Sequence, residues 1–146
     1  PLTFSTDTCD FCHAAGVPQV FQRVSDAEYY DTPIKEHDYL SLLWSRSSFE
    51  YGWTPNRTCI FGHTPVPYLL EDLDVKSDRV QPYKYVGTTN PAFTGVKIDM
   101  DTGAAFLGYA YVLNVLTMQA QGFRDIDVKS KKNEQHRIEK IEVIQF

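Results

Sequence analysis

The sequence predicts an α/β fold in which mixed or antiparallel strands are flanked by a few helices. Short apolar runs rich in β-formers recur between residues 57 and 116 and are bounded by Gly and Pro, which is typical of buried strands. Residues 36–49 instead space their apolar side chains at helical intervals. The last residues, from 138 onward, alternate between apolar and polar, which indicates a half-exposed strand.

The individual elements follow from these patterns and from the turn-forming residues between them. Helix 36–49 should end before Gly52 and Pro55, and Cys59, Ile60 and Phe61 form the centre of a buried strand. In chain order we predict a strand over 4–12, an irregular segment over 17–34 with a short helix near 26–30, a helix over 36–49, and strands over 57–61, 82–86, 95–100, 106–116 and from 138 on.

Length and composition fit a single folded domain that spans residues 1–146. Hydrophobic residues make up 42% of the chain and aromatic residues 14%, which excludes a disordered protein. No stretch approaches the ~20 apolar residues that cross a bilayer, and the first residues do not resemble a secretory signal. Three cysteines are an odd number and argue against a disulfide framework. We therefore expect a cytoplasmic protein.

The charge of the chain bears on its partners. The net charge is −5, so neither nucleic acid nor an acidic membrane is an expected partner. One short basic run, residues 129–132, is followed by Glu134, and we interpret it as a solvated turn.

Two histidines occur where predicted strands pass into loops. His13 precedes Ala14-Ala15-Gly16, and His63 lies between Gly62 and Thr64-Pro65. Glycine beside a ligand lets the backbone approach closely, and proline after it fixes the loop. Neutral imidazole suits zinc and iron, and manganese less tightly. From the residues alone, a metal site and a pair of ordinary turn histidines both remain open.

Four segments carry further motifs, in the order FCHAAGVP at 11–18, LWSR at 43–46, CIFGHTP at 59–65 and IDMDTGA at 98–104. They resemble the His-Ala-Gly, Trp-X-Arg, Gly-His-Thr-Pro and Asp-Thr-Gly-Ala motifs of calcineurin-like metallophosphoesterases. Within that family they resemble particularly the bacterial and phage serine/threonine phosphatases and the bis(nucleosyl)tetraphosphatases. The chain differs from the first motif by having two alanines, where the family has one.

This resemblance implies the C-terminal part of the metallophosphoesterase β-sandwich. It also implies metal-dependent hydrolysis of a phosphoester, in a phosphoprotein or a dinucleoside polyphosphate, with two divalent metal ions (Mn, Fe or Zn). His13 and His63 would bind one of these ions, and Arg46 would bind the substrate phosphate. A guanidinium group suits that role because it can bind two phosphate oxygens at once and stays charged.

Three other motifs of the family, Asp-X-His, Gly-Asp-X-X-Asp and Gly-Asn-His-Asp, do not occur in this sequence. In the family they supply the remaining metal ligands and the general acid. We therefore expect this chain to need a complementary N-terminal phosphatase half, as one subunit of a split enzyme or as a fragment of one. The alternative is a non-catalytic binding or structural protein that retains the second half of the fold.

The cysteines allow two other metal sites. Cys9-X-X-Cys12-His13 matches the pattern of covalent c-type haem attachment. Against a haem site, the sequence shows no export signal, and most of it is predicted to be strand, whereas small cytochromes are usually helical. Cys9, Cys12 and Cys59 with a histidine could form a zinc site, although a second paired motif is lacking. We favour a third interpretation, in which Cys12 and Cys59 are small buried apolar residues on strands.

Overall fold

A computed structural model of the chain describes residues 1–46, 49, 51–77, 79–87, 90–127 and 136–146. It confirms an α/β fold with mixed and antiparallel strands, because these residues form two sheets and four helices. The elements are β1 (Thr3–Ser5), β2 (Cys9–Cys12), α1 (Pro18–Tyr29), α2 (Glu36–Trp44), β3 (Thr58–Phe61), α3 (Val66–Asp72), β4 (Tyr83–Val86), β5 (Val96–Asp99), α4 (Ala104–Leu107), β6 (Tyr109–Asn114), β7 (Gln119–Asp125) and β8 (Ile138–Gln145).

The chain divides into two compact units, of which the first comprises residues 1–64 and 83–99. Its five-stranded sheet has the order β1-β2-β3-β5-β4. The three central strands, β2, β3 and β5, are parallel, and β1 and β4 are antiparallel to their neighbours. Helices α1 and α2 lie between β2 and β3 in the chain and supply the crossover that two parallel strands require.

Apolar side chains at helical spacing form the core of the first unit. Val20 and Val24 are four residues apart on α1 and pack against Leu42 of α2. Trp53 and Phe49 are also fully buried. These contacts hold the two helices in place and so position the loops beside them.

A buried carboxylate, Asp10 on β2, is the centre of a polar network in this unit. Asp10 accepts hydrogen bonds from Arg57 Nε at 2.8 Å, from Trp53 Nε1 at 2.7 Å and from Ser5 Oγ at 2.7 Å. Burial raises the pKa of Asp10, but the hydrogen bonds from Arg57, Trp53 and Ser5 outweigh it, so the pKa lies below its ordinary value. The remaining Arg57 donors bond the backbone oxygens of Thr6, Asp7 and Cys9. The hydrogen bonds of the Arg57 guanidinium therefore stabilise the fold.

The second unit comprises residues 65–82 and 100–146. Its described strands form an antiparallel sheet in the order β6-β7-β8, with an irregularity between Gln121 and Phe123. Gly103 has a φ of 71°, and its amide donates to Asp101 Oδ1 at 2.9 Å. Thr102 Oγ1 donates to the backbone oxygen of Tyr109 at 2.6 Å. The Asp-Thr-Gly segment is thus a hydrogen-bonded turn before α4.

Two sequence predictions about helices are wrong in their extent. Segment 17–34 is not irregular, because α1 begins at Pro18 and runs to Tyr29. Proline suits the first turn of a helix, and the buried residues that follow supply its apolar face. Helix α2 ends at Trp44 rather than near residue 49, because Ser45 has an extended backbone.

The strands differ from the sequence predictions in fewer places. The single strand predicted over 4–12 is an antiparallel pair, β1 and β2, joined by a short turn. The strand predicted over 106–116 begins only at Tyr109, after the short helix α4. Helix α3 and strand β7 were not predicted. The strands β3, β4, β5 and β8 lie where the sequence placed them.

Three further predictions concern the basic run, membrane-spanning helices and the number of domains. The basic run at 129–132 and Glu134 lie outside the described residues. Within the described part of the chain, no helix is both long enough and apolar enough to cross a membrane. That residues 1–146 form a single domain stays a prediction.

Candidate metal site

The two candidate metal ligands lie at the ends of neighbouring parallel strands in the first unit. Strand β2 ends at Cys12, directly before His13, and β3 ends at Phe61, two residues before His63. The carboxyl ends of parallel strands meet at one edge of a sheet, where α/β proteins commonly bind ligands. The amide of Gly62 donates to the backbone oxygen of His13 at 3.0 Å, which extends the pairing of the two strands up to the histidines.

The imidazole rings of His13 and His63 face each other through nitrogen atoms. His13 Nε2 lies 3.1 Å from His63 Nδ1, and the ring centroids are 4.9 Å apart. As the molecule stands, this is a hydrogen bond in which one ring N–H donates to the other ring. Two nitrogens that each lie about 2.0–2.1 Å from one ion are about 3–3.4 Å apart when they occupy neighbouring coordination positions. The observed separation therefore fits two ligands of a single metal ion.

His63 has an unusual backbone conformation, with a φ of 75°. The left-handed region favours glycine and costs another residue about 1–2 kcal/mol. The ring of Trp44, at the end of α2, makes an edge-to-face contact with the His63 ring at a centroid distance of 5.2 Å. The turn thus holds the imidazole between a second histidine and an aromatic ring, despite the backbone cost.

The loop after His13 is fixed by buried contacts. The amide of Ala14 donates to the backbone oxygen of Leu42 at 2.8 Å, and Ala14 and Ala15 are both buried. A Cβ atom on Gly16 would lie 2.5 Å from Leu42 Cδ2, so only glycine fits there without rearrangement. The second alanine, by which the sequence differs from the phosphatase motif, is therefore accommodated in the core.

A buried lysine also holds this loop. Lys97, on β5, is fully buried, and its Nζ donates to the backbone oxygen of Gly16 at 2.9 Å. Its ammonium group also lies 5.6 Å from the centroid of the Trp53 ring. Burial lowers the pKa of Lys97 to about 8. Lys97 was not among the residues predicted from the sequence, although the alternation of Val96-Lys97-Ile98-Asp99 indicates that it shares a face of β5 with Asp99.

Two thiols lie on the strands that lead to the candidate ligands, Cys12 on β2 and Cys59 on β3. Cys12 Sγ is 3.6 Å from Cys59 Sγ and donates a hydrogen bond to the backbone oxygen of Ala14 at 3.1 Å. Cys59 is fully buried, whereas Cys12 is partly exposed. The hydrogen bond with Cys59 lowers the pKa of Cys12, and burial raises the pKa of Cys59 well above its ordinary value.

The geometry favours neither of the other cysteine-based sites. Cys9 and Cys12 are three residues apart on β2, so their side chains leave opposite faces of the strand and are poorly placed to attach one haem. Among the described residues, no group of three or more His, Cys, Asp or Glu side chains could hold a metal ion. A zinc site built from Cys9, Cys12, Cys59 and a histidine is therefore not assembled.

The proposed phosphate ligand, Arg46, lies two residues beyond the end of α2 and is exposed. It follows Trp44, whose ring contacts His63, so the Trp-X-Arg segment and the Gly-His-Thr-Pro segment meet in the fold. Residues 47 and 48 lie outside the described part of the chain. The structure therefore brings His13, His63 and Trp44 together and leaves the Arg46 guanidinium open to solvent.

Comparison of the chain with protein-family models, with curated proteins and with solved structures finds no match. The resemblance to metallophosphoesterases therefore stays a prediction, which rests on the four sequence motifs.

Proposed function

We propose that this chain contributes His13 and His63 to one metal ion of a dinuclear phosphoesterase site, and that a complementary N-terminal half contributes the other ligands. The observation that carries the proposal is the 3.1 Å separation of His13 Nε2 and His63 Nδ1. Both rings lie on loops whose backbone is anchored to the sheet, as ligands that must keep one orientation require.

The proposed chemistry is hydrolysis of a phosphoester, in a phosphoprotein or a dinucleoside polyphosphate. Two divalent ions (Mn, Fe or Zn) would supply Lewis acidity and an activated water. This chain's own part is to bind one ion through two imidazoles and to orient His63 through Trp44. The exposed guanidinium of Arg46 would bind phosphate oxygens and stabilise their charge. A cytoplasmic location belongs to the same proposal.

A complementary half is needed because two imidazoles make an incomplete site. A catalytic ion commonly has three protein ligands, and two neighbouring cations need bridging carboxylates to offset their repulsion. Among the described residues no third His, Cys, Asp or Glu joins His13 and His63 in a metal-binding group. The partner should therefore contain the Asp-X-His, Gly-Asp-X-X-Asp and Gly-Asn-His-Asp motifs.

Metal binding by this chain can be tested without a partner. Imidazole suits Ni²⁺, so calorimetric titration with Ni²⁺ should show one site that is lost in His13→Ala and in His63→Ala. His37 and His136 are not candidate ligands and pair with Asp38 and Asp125, so His37→Ala and His136→Ala are the matched controls. Unchanged binding in both His13→Ala and His63→Ala would contradict the ligand assignment.

Activity requires a second experiment, with p-nitrophenyl phosphate and added Mn²⁺. The chain alone should be inactive, and a mixture with a half that carries the three complementary motifs should turn over. Turnover by the isolated chain would contradict the proposal that its site is incomplete. An inactive mixture that still forms a complex would favour the alternative, a non-catalytic binding or structural role. That role is also compatible with the described residues, among which no group of three or more possible metal ligands occurs.

A further inference from the structure

The thiols of Cys12 and Cys59 form a pair on the two strands, β2 and β3, that lead to the candidate metal ligands. In the register of β2 and β3, Asp10 is opposite Cys59, so Cys12 projects from the same face two residues farther along. The two sulfur atoms are 3.6 Å apart. Cys9, the third free cysteine, leaves the opposite face of β2.

We propose that Cys12 and Cys59 are a redox modification site, at which a hydroperoxide forms a reversible disulfide that weakens metal binding by His13 and His63. The effect on the metal rests on the proposed function, whereas formation of the disulfide does not.

The geometry of the pair suits this reaction. A disulfide needs its sulfur atoms about 2.05 Å apart, so the two atoms must approach by roughly 1.5 Å. Cys59 is paired with Asp10, and Cys12 lies two residues farther along β2, so the two cysteines are diagonal neighbours on adjacent strands. Diagonal neighbours commonly have Cα atoms about 7–8 Å apart, whereas a disulfide holds them at about 4.4–6.8 Å, so the backbone near Cys12 must shift as the bond forms. Cys12 is partly exposed and Cys59 is fully buried, so a small oxidant meets Cys12 first. Cys59 then lies within reach of the oxidised sulfur, while its burial protects it from direct attack.

The reaction proceeds in two balanced steps. The Cys12 thiol takes one oxygen from hydrogen peroxide and becomes a sulfenic acid, with release of one water. The Cys59 sulfur then attacks the Cys12 sulfur, the S–OH bond breaks, and the hydroxyl leaves with the Cys59 proton as a second water. In total two thiols are oxidised to one disulfide, and one peroxide is reduced to two waters. A dithiol such as dithiothreitol reverses the change by thiol–disulfide exchange.

Oxidation would disturb the metal ligands for two physical reasons. The disulfide has no S–H group, so the hydrogen bond from Cys12 to the backbone oxygen of Ala14 is lost, and that bond shapes the loop after His13. The Cys12 sulfur must also move toward Cys59, and Cys12 is covalently joined to His13. Two rings whose nitrogens are 3.1 Å apart keep the geometry of a shared ion only if neither ring moves far.

The disulfide is tested first, in the absence of metal. Treatment with hydrogen peroxide should lower the thiol content, measured after denaturation, from the three free cysteines to one, and dithiothreitol should restore it. Peptide mass spectrometry of the oxidised wild-type chain should show Cys12 joined to Cys59. The variants Cys12→Ser and Cys59→Ala should form no internal disulfide, whereas Cys9→Ser should form it as the wild type does. A Cys9-containing disulfide, or sulfinic acid at Cys12 without a disulfide, would overturn the proposal.

The effect on the metal is tested with Ni²⁺. Oxidation should weaken Ni²⁺ binding by roughly tenfold or more, as loss of support around a metal ligand commonly does, and dithiothreitol should restore it. The double variant Cys12→Ser/Cys59→Ala lacks both thiols and should bind Ni²⁺ like the reduced wild type under both conditions. Weak binding by that variant without oxidant would show that metal binding needs the thiols themselves and not only their reduced state, which overturns the switch. If the reduced wild type binds no Ni²⁺ at all, the proposed function fails while the disulfide result stands.

Discussion

Lys97 Nζ donates a hydrogen bond of 2.9 Å to the backbone oxygen of Gly16, and so joins the centre of the sheet to the loop that carries His13. The lysine is fully buried on β5 and lies opposite Cys59 of β3. A buried ammonium group is costly, which is why its pKa is lowered to about 8. Near neutral pH the buried charge of Lys97 therefore lowers the stability of the fold, although its hydrogen bond holds the loop beside the candidate site.

The first prediction concerns the pH dependence of this contact. Between about pH 8 and pH 10.5 the unfolded chain keeps a proton on Lys97 that the folded chain has lost, so the contribution of Lys97 to stability rises with pH. Lys97→Met lacks this effect. The difference in unfolding free energy between the wild type and Lys97→Met should rise by about 2 kcal/mol from about pH 7.5 to about pH 9.5, as measured by urea denaturation.

Lys84, on the adjacent strand β4, is exposed and serves as the matched control. The difference between the wild type and Lys84→Met should stay nearly constant over the same pH range. A constant difference for Lys97→Met as well would show that its pKa is not lowered in the folded chain.

The second prediction concerns Asp10. Replacement by Asn removes the negative charge that pairs with Arg57 in a largely buried position, and should lower the unfolding free energy by about 3–5 kcal/mol. Because the pKa of Asp10 is lowered in the folded chain, its contribution is complete above the ordinary value of 3.8 and is lost as the pH falls through the folded-state pKa. The gap between wild type and variant should therefore close in acid, as followed by urea denaturation.

Asp127 makes a comparable ion pair with Arg137 at the surface. Asp127→Asn should leave the unfolding free energy nearly unchanged, because solvent screens an exposed pair. An equal loss in both variants would mean that burial does not strengthen the Asp10–Arg57 pair.

Two of the central strands, β3 and β5, were predicted well for a physical reason. Strands β3 and β5 are buried, and their short apolar runs are bounded by Gly, Pro or polar residues. Strand β7 was missed because Gln119–Asp125 is mostly polar and contains Gly122, so neither alternation nor β-forming composition marks it. Most of helix α1 was not predicted because Pro18 and Pro33 flank a segment of mixed polar and aromatic residues, whereas proline is compatible with the first turn of a helix.

The candidate site was predictable only in part. His13 and His63 could be identified from local motifs, since each stands in a short segment with recognisable neighbours. The contacts of Lys97 with Gly16 and of Cys12 with Cys59 join residues 81 and 47 positions apart. They depend on the order and register of β2, β3 and β5, which the sequence alone does not specify.

The third prediction concerns Arg46 and applies to the chain mixed with the proposed complementary half. Arg46→Ala removes the guanidinium that we propose binds the phosphate oxygens, and should lower kcat/KM by roughly a hundredfold or more. Arg46→Lys keeps the charge without the bidentate geometry, and its loss should be smaller. Arg79→Ala, which removes an exposed arginine from the other unit, is the control. Initial rates with p-nitrophenyl phosphate measure the effect, and equal rates for Arg46→Ala and wild type would exclude Arg46 from phosphate binding.

The fourth prediction separates the ring of His63 from its backbone. Both His63→Ala and His63→Gly remove the imidazole and should abolish Ni²⁺ binding. At a φ of 75° the Cβ atom of alanine is strained and glycine is not, so His63→Gly should be the more stable of the two by about 1 kcal/mol. At His13, which has an ordinary backbone, glycine should instead be no better than alanine, because it gains only entropy in the unfolded chain. Urea denaturation of the four variants measures these differences. If alanine were as stable as glycine at position 63, the left-handed turn would relax once the ring is removed, and the backbone cost at His63 would then arise from the ring contacts with His13 and Trp44.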